Sequence, residues 1–415
     1  MRRVVVTGIG AVAPSGNNFN DSWSSIKNGH PSISGITKFD AKKYPWNMAG
    51  EIKSFEPLLF LSQKETKTMD VFVQYAVAAA VMAARDAGLH TDNNFSPDDS
   101  GVIIGSSRGG IGSIEREFNR LYARIGKDSV SRLSPYLMPS STIGIAASCV
   151  AQKLNIKGKC IGISCACSSG AVSIGEAYRA IKDGYSRVIL AGGAEAPICE
   201  ICLAGYGSSG ALSSIRDASA SRPFANGRDG FVLSEGATVL VLEEYESAVK
   251  RNVNIYGEIV GYSNTSDAFH ITQPALEGEV KTMCLALKDA GILPEEVDYI
   301  NAHATSTPIG DRVEAEAIRM VFIKNPEIPV SSIKSMTGHM LAASGAYEIA
   351  CSLMSLKEGI IPPTINLADK APECNINVIT ELTAAPLKVA LSNSFGFGGV
   401  NASLVIRRVE SGNRN

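Results

Sequence analysis

The chain has 415 residues, with 39 Lys and Arg against 41 Asp and Glu, for a formal net charge of −2. That balance supplies neither a nucleic-acid footprint nor a membrane-surface patch, although a local basic face remains open to an acidic partner. Length alone allows about three average domains or two large ones, and no low-complexity tract points to disorder.

The first apolar run is "RRVVVTGIG" (2–10). A twin-arginine export signal needs a longer stretch; this one is broken by Gly8 and Gly10 and reads as a first strand. A helix is predicted over 69–88, and its apolar part "AVAAAVMAA" (76–84) falls well short of a membrane span. Further strands are predicted at "SGVIIGSS" (100–107), "CIGISC" (160–165), "RVILAGGAE" (187–195) and "ATVLVLEEY" (237–245), with helices over 169–183 and 342–358. Apolar strands alternating with amphipathic or Ala-rich helices indicate α/β layers whose strands are buried on both faces. A cytoplasmic location is expected.

The chain also echoes itself. "IGISCACSSGAVS" (161–173) and "VALSNSFGFGGVN" (389–401) share a strand, a turn of Ser, Cys, Asn or Phe, and then small residues; "SGVIIGSSRGG" (100–110) likewise echoes "VDYINAHATST" (297–307). Echoes this far apart suggest a duplicated half rather than a solenoid, with halves of 1–250 and 251–412 joined near "VKRNVNIYG".

The candidate chemistry starts at "SCACSSG" (164–170). Cys167 falls where an apolar strand gives way to a helix. The helix start at 167 favours thiolate over thiol, and Ala166, Ser168, Ser169 and Gly170 leave room for a substrate and exposed backbone N–H groups. A cysteine beside a buried strand is more often inert packing, and that is the reading for Cys165. Cys165 and Cys167 with the "CEIC" pair, Cys199 and Cys202, make four thiols on paper. C-x-C is a poor match to zinc-ribbon spacing and "CEIC" lacks a thioredoxin-like frame, so metal and redox readings are set aside. Nine cysteines, an odd number, without a signal peptide also argue against disulfides. Of five histidines, His303 follows the strand "VDYI" within "NAHATSTPIGD" and His339 sits in the Gly-flanked turn of "SIKSMTGHMLAASG". One thiol and two imidazoles in small-residue loops suit acyl chemistry: a nucleophile, with groups to donate hydrogen bonds or move protons.

"ACSSG", "RPFANGRDGFVLSEGA", "NAHATSTPIGD", "KSMTGHMLAASG" and "NSFGFGG", in register from Met1 to about Arg408, together resemble the β-ketoacyl-acyl carrier protein synthases, most nearly the type II elongating synthases. The resemblance implies a thiolase-like fold, a duplicated α/β/α/β/α five-layered architecture. It makes Cys167 the acylated nucleophile and His303 and His339 the catalytic histidines. Lys334 would support the site, with Glu348 as its ion partner. Phe397 would gate the acyl pocket, and Thr305 and Thr307 would contact the phosphopantetheine arm, with Phe395 also on the substrate side. Arg108 stands where relatives carry an apolar or small residue near the acyl pocket and dimer interface. It should pair with an acid or reach water, and either turn into the interface or polarise the pocket floor, disfavouring long saturated chains.

The implied reaction is a ping-pong decarboxylative Claisen condensation by an acyltransferase: Cys167 takes an acyl chain from its carrier, malonyl carrier protein loses carbon dioxide, and the chain leaves two carbons longer. Backbone N–H groups of Cys167 and Phe397 would hold the tetrahedral oxyanion, and the two histidines the enolate. No metal or redox cofactor is implied, because the phosphopantetheine belongs to the acyl carrier protein. Lys64, Lys67 and Arg132 are expected contacts for an acidic carrier, although Thr68 replaces a basic residue common in relatives. A homodimer is expected. The alternatives are a specialised polyketide or aryl polyene ketosynthase, a non-catalytic chain-length partner (opposed by the presence of Cys167) and a thiolase acting on coenzyme A esters.

Overall fold

The computed structural model describes residues 1–89, 96–123 and 133–409. Its main sheet has ten strands: β1 (Val4–Val12), β2 (Ser100–Gly105), β3 (Cys160–Ile163), β4 (Val188–Glu195), β5 (Gly236–Glu244), β6 (Gly257–Ser266), β7 (Tyr299–Asn301), β8 (Val330–Ser331), β9 (Val389–Gly396) and β10 (Val400–Arg407). Their order across the sheet is β8-β7-β9-β10-β6-β1-β5-β4-β2-β3. Read inwards from either edge, both halves use their own strands in the order third, second, fourth, fifth, first. The strand directions repeat too: β2 is parallel to β3 and β4, as β7 is to β8 and β9, while the fourth, fifth and first strands of each half run antiparallel. A short antiparallel pairing, Val4–Val6 of β1 with Gly257–Ile259 of β6, joins the halves.

This symmetry supports one sequence echo and corrects the other. "SGVIIGSSRGG" and "VDYINAHATST" do lie on equivalent strands, β2 and β7. "IGISCACSSGAVS" begins on β3 and "VALSNSFGFGGVN" on β9, and these are not equivalent: the counterpart of β3 is β8. With only two residues, β8 leaves no apolar run for the eye to match, so the stronger β9 signal took its place.

Helices complete five layers. α1 (Val71–Asp86) and α3 (Ile145–Lys153) cover the outer face of the first half, with α2 (Ile111–Tyr122) near its edge. α4 (Ser169–Lys182) and α8 (Ser344–Glu358) form the middle layer and contact strands of both halves. α5 (Glu200–Ser208) follows β4, and α6 (Leu276–Ala290) and α7 (Pro308–Val321) cover the outer face of the second half. α1 starts at Asp70, whose carboxylate accepts the Phe72 N–H at 3.0 Å, and its Ala-rich faces let it lie close on β1 and β5. The N-terminal ends of α4 and α8 meet at two glycines. A Cβ on Gly170 would overlap the Ala342 carbonyl, and one on Gly345 would come within 2.9 Å of the Ala171 methyl. That close approach brings the loops before the two helices, and their reactive side chains, to one place. Among the described residues no helix is long and apolar enough to cross a membrane.

Candidate active site

Between β3 and α4 the chain makes a tight turn. Ala166 takes φ +48°, a left-handed conformation that costs an L-residue roughly 1–2 kcal/mol. Hydrogen bonds hold it there. The Ser168 N–H donates to the Cys165 carbonyl at 3.2 Å, the Ser169 hydroxyl donates to the Ala166 carbonyl at 2.6 Å, and the Cys165 N–H donates to the Ser169 oxygen at 2.8 Å. The helix begins at Ser169 with Ser168 as its cap, so Cys167 directly precedes the cap rather than starting the helix. Its side chain lines a cavity of about 420 Å³, whereas Cys165 is half-buried against the central core.

Burial acts against the thiolate expected from the helix terminus. Burial pushes Cys167 up to about 11, outweighing the Phe397 N–H on its sulfur and the positive charges of Lys334 and Arg108. At neutral pH the resting group is a thiol.

The same cavity is lined by His303 and His339, whose ring centroids lie 5.3 Å apart with the planes at 85°. His303 follows β7, where Glu314 of α7 fixes the turn by accepting the N–H groups of His303 at 2.8 Å and Ala304 at 2.7 Å. His339 Nδ1 lies 3.0 Å from the Ser344 hydroxyl oxygen, which also accepts the Met340 N–H at 2.9 Å. A hydroxyl proton donated to Nδ1 corresponds to the tautomer that carries its ring hydrogen on Nε2. His339 Nε2 and His303 Nδ1 have no protein partner. Burial and the nearby Lys334 charge hold both imidazoles well below the ordinary histidine range, so both are neutral. Phe231 meets the His339 ring edge-on at 5.4 Å and Phe395 meets His303 at 6.1 Å.

Beneath them Lys334 and Glu348 form an ion pair, both side chains at most 2% exposed. Burial raises the Glu348 carboxyl and the Lys334 charge opposes that rise, while Oε2 of Glu348 has no protein partner. Glu348→Ala would leave a buried ammonium uncompensated, and should destabilise the fold by roughly 3–5 kcal/mol. Urea unfolding of the variant checks this; a change within experimental error would show that Lys334 finds another partner.

Thr305 and Thr307 stand on the outer wall of the cavity with their hydroxyl oxygens 3.2 Å apart. Phe397 is half-buried on the loop after β9, which is tied down by the Gly398 N–H donating to the Ile271 carbonyl at 2.7 Å. Arg108 does not line the cavity. Its side chain is exposed, and its Nε donates to the Tyr206 hydroxyl at 2.8 Å, so it reaches the cavity through Tyr206, which does line it. Lys64 and Lys67 are exposed; Lys67 borders a groove shared with Arg116 and Arg120. Arg132 lies outside the described residues. Ser344, Glu314, Phe231 and Tyr206 were not singled out in the sequence. Ser344 lies inside the His339 motif, but only the turn geometry shows that its hydroxyl meets Nδ1.

The duplicated five-layered architecture, with a buried thiol and two neutral imidazoles between its halves, is the thiolase-like fold. Residues 1–248 match the N-terminal domain of beta-ketoacyl synthase and residues 256–368 its C-terminal domain, and the chain belongs to that family. It is 42% identical over 414 residues, 98% of this chain and 99% of the relative, to a 3-oxoacyl-(acyl-carrier-protein) synthase 2 of Coxiella burnetii. It is similar to a solved beta-ketoacyl synthase from Burkholderia phymatum, at 34% identity and TM-score 0.91 with 99% of this chain and 100% of that one covered. A solved complex of a type II polyketide acyl-carrier protein with its ketosynthase, bound to the hexaketide, matches at 33% identity and TM-score 0.90 over 99% of this chain and 100% of that one.

Proposed function

We propose that the protein is a 3-oxoacyl-(acyl-carrier-protein) synthase that lengthens acyl chains by two carbons in fatty acid biosynthesis. The observation that carries this reading is a single buried cavity shared by Cys167 and two neutral histidines, in a chain that matches synthases of that name from end to end.

In the first half-reaction the Cys167 sulfur attacks the acyl thioester, its proton passing to the departing arm thiol. The N–H groups of Cys167 and Phe397 hold the tetrahedral oxyanion, and the Phe397 N–H is already directed at the sulfur. In the second, the malonyl carboxylate leaves as carbon dioxide and its electron pair moves onto the thioester as an enolate. His303 and His339 meet that oxygen as neutral hydrogen-bond donors. The enolate carbon attacks the acyl-Cys167 carbonyl and expels the Cys167 thiolate, which takes up one proton because its buried site favours the thiol. Electrons and protons balance without a metal or redox group; the prosthetic arm is the carrier's. Lys334 and Glu348 support the histidines from below, and Thr305 and Thr307 hold the arm.

Lys64, Lys67 and the groove at Arg116 and Arg120 suit an acidic acyl carrier protein. A homodimer is supported by the outer edge strand β3, which carries exposed Cys160, Ile161 and Gly162 with no strand beside them among the described residues. Light scattering at micromolar concentration should give twice the chain mass; a monomer mass would contradict the dimer.

A polyketide role is the second reading, favoured by the likeness to the polyketide ketosynthase and by the Arg108–Tyr206 pair beside the cavity. Acyl carriers of increasing chain length, incubated with malonyl carrier and read by mass spectrometry, test both readings. Fatty acid elongation predicts products two carbons longer, and Arg108→Ile, which acts on the cavity only by freeing the Tyr206 hydroxyl, tests whether Arg108 limits the long saturated chains. If wild type and variant use long chains equally, Arg108 does not set chain length.

A further inference from the structure

The cavity wall carries a polar group that the condensation steps above leave unused. Glu279 lies in the first turn of α6 and lines the same cavity as Cys167 and the two histidines. It is 1% exposed, and its Oε2 has no partner among the described residues. The other buried, unpartnered side-chain atoms on residues lining this cavity are His303 Nδ1, His339 Nε2 and Asp229 Oδ1. Buried polar atoms are nearly always satisfied, so one left open beside a substrate cavity requires an explanation.

The acids around Glu279 have taken the local donors. Asp267, directly after β6, accepts the Asn401 side-chain amide at 2.6 Å and the Ala275 N–H at 3.0 Å. A Cβ on Gly278 would overlap Oδ1 of Asp267, so the first turn of α6 presses on that carboxylate. Glu314 accepts the Asn393 side-chain amide at 3.2 Å besides the N–H groups of His303 and Ala304. Asp311 accepts the Phe224 N–H at 2.8 Å and the Ser306 N–H at 3.1 Å. Burial and the charges of these three acids hold Glu279 well above the ordinary carboxylate range. A carboxyl that keeps its proton offers one O–H donor; an ionised one offers none.

The cavity lining divides by chemistry. Phe231 and Leu341 share an apolar cluster with Cys167, and Tyr206 and Ala211 pack against it, which suits an acyl chain. Thr272, Gln273, Glu279, Thr305 and Thr307 supply polar groups to the same cavity. A phosphopantetheine arm carries amide groups, whose carbonyl oxygens lose water on entering a narrow passage and need donors there. We propose that Glu279 is a substrate-binding residue whose carboxyl O–H donates to an amide carbonyl of the carrier's arm. The choice of this arm as the ligand rests on the condensing function proposed above.

Glu279→Leu and Glu279→Gln test the donor. Leucine removes an unpartnered buried acid, so that variant should fold. S-methyl pantetheine, which keeps the amides and has no reactive group, is titrated into each full-length protein and followed by ligand-observed NMR. Its dissociation constant should rise by roughly tenfold in Glu279→Leu, as for one neutral hydrogen bond lost. In Glu279→Gln it should stay within about threefold of wild type, because the side-chain N–H replaces the O–H. In turnover, the KM for acyl pantetheine should rise in Glu279→Leu by the same factor while kcat is kept, the signature of uniform binding lost. Unchanged binding in folded Glu279→Leu would remove the donor. Equal weakening in both variants would make the carboxyl a structural group only, and a loss of kcat with KM unchanged would remove it from arm binding. Glu279-dependent binding of S-methyl pantetheine by a protein that shows no condensation would count against the proposed function and leave this subsite standing.

Discussion

Cys167→Ala protein should form no acyl-enzyme and lose condensation by about 10⁴-fold or more, as expected when a covalent nucleophile is removed. Cys165→Ala protein should keep most of its turnover. The two residues are separated only by Ala166, and its left-handed backbone sends them to different places. Cys167 opens into the cavity with the Phe397 N–H on its sulfur, while Cys165 packs against the central core. Because burial holds the Cys167 thiol at about 11, its reaction with iodoacetamide should keep rising with pH above the range in which an ordinary thiol levels off. Intact mass after incubation with an acyl carrier thioester checks the assignment. Loss of the acyl mass in folded Cys165→Ala, with its retention in Cys167→Ala, would reverse it.

His303→Ala and His339→Ala should each slow carbon dioxide release from malonyl carrier by roughly 10²–10³-fold, the usual effect of deleting a donor to a developing oxyanion. Acyl transfer to Cys167 should suffer much less, because enolate charge arises only in the second half-reaction. The Ser344 hydroxyl beside Nδ1 suits the His339 tautomer with its hydrogen on Nε2, and both rings are neutral. Their folded values lie below the ordinary one, so as pH falls through about 6.5 the neutral forms persist, and carbon dioxide release should not follow a histidine titration between about pH 6 and 8. Separate assays of acyl-enzyme and carbon dioxide decide this. Unimpaired release in both variants would remove the histidines from the enolate site.

The strands and middle-layer helices were legible because apolar runs bounded by glycine carry their own signal: β2, β3 and β4 fall within the stretches read from the sequence, and β1 and β5 overlap theirs. The motif residues around the cavity were legible as small-residue turns at strand ends. Three features were not. The two-residue β8 has too little sequence to announce itself, which misplaced one of the two internal echoes. The thiol state of Cys167 depends on burial by distant segments, which acts against the thiolate. The place of "CEIC" at the start of α5, after β4, carries no strand or helix signal of its own in the sequence. Arg108 was legible as an oddity, but its bond to Tyr206, 98 residues away, belongs to the fold.

A single turnover read by mass spectrometry tests the two-step condensation most directly. Protein loaded with one acyl chain, freed of excess thioester and mixed with malonyl carrier should lose the acyl mass from the peptide containing Cys167. An equal amount of carbon dioxide should be released, and the chain should appear on the carrier as a 3-oxoacyl group two carbons longer. An acyl mass that remains on the protein while carbon dioxide is released, or a chain that leaves unextended, would contradict the account.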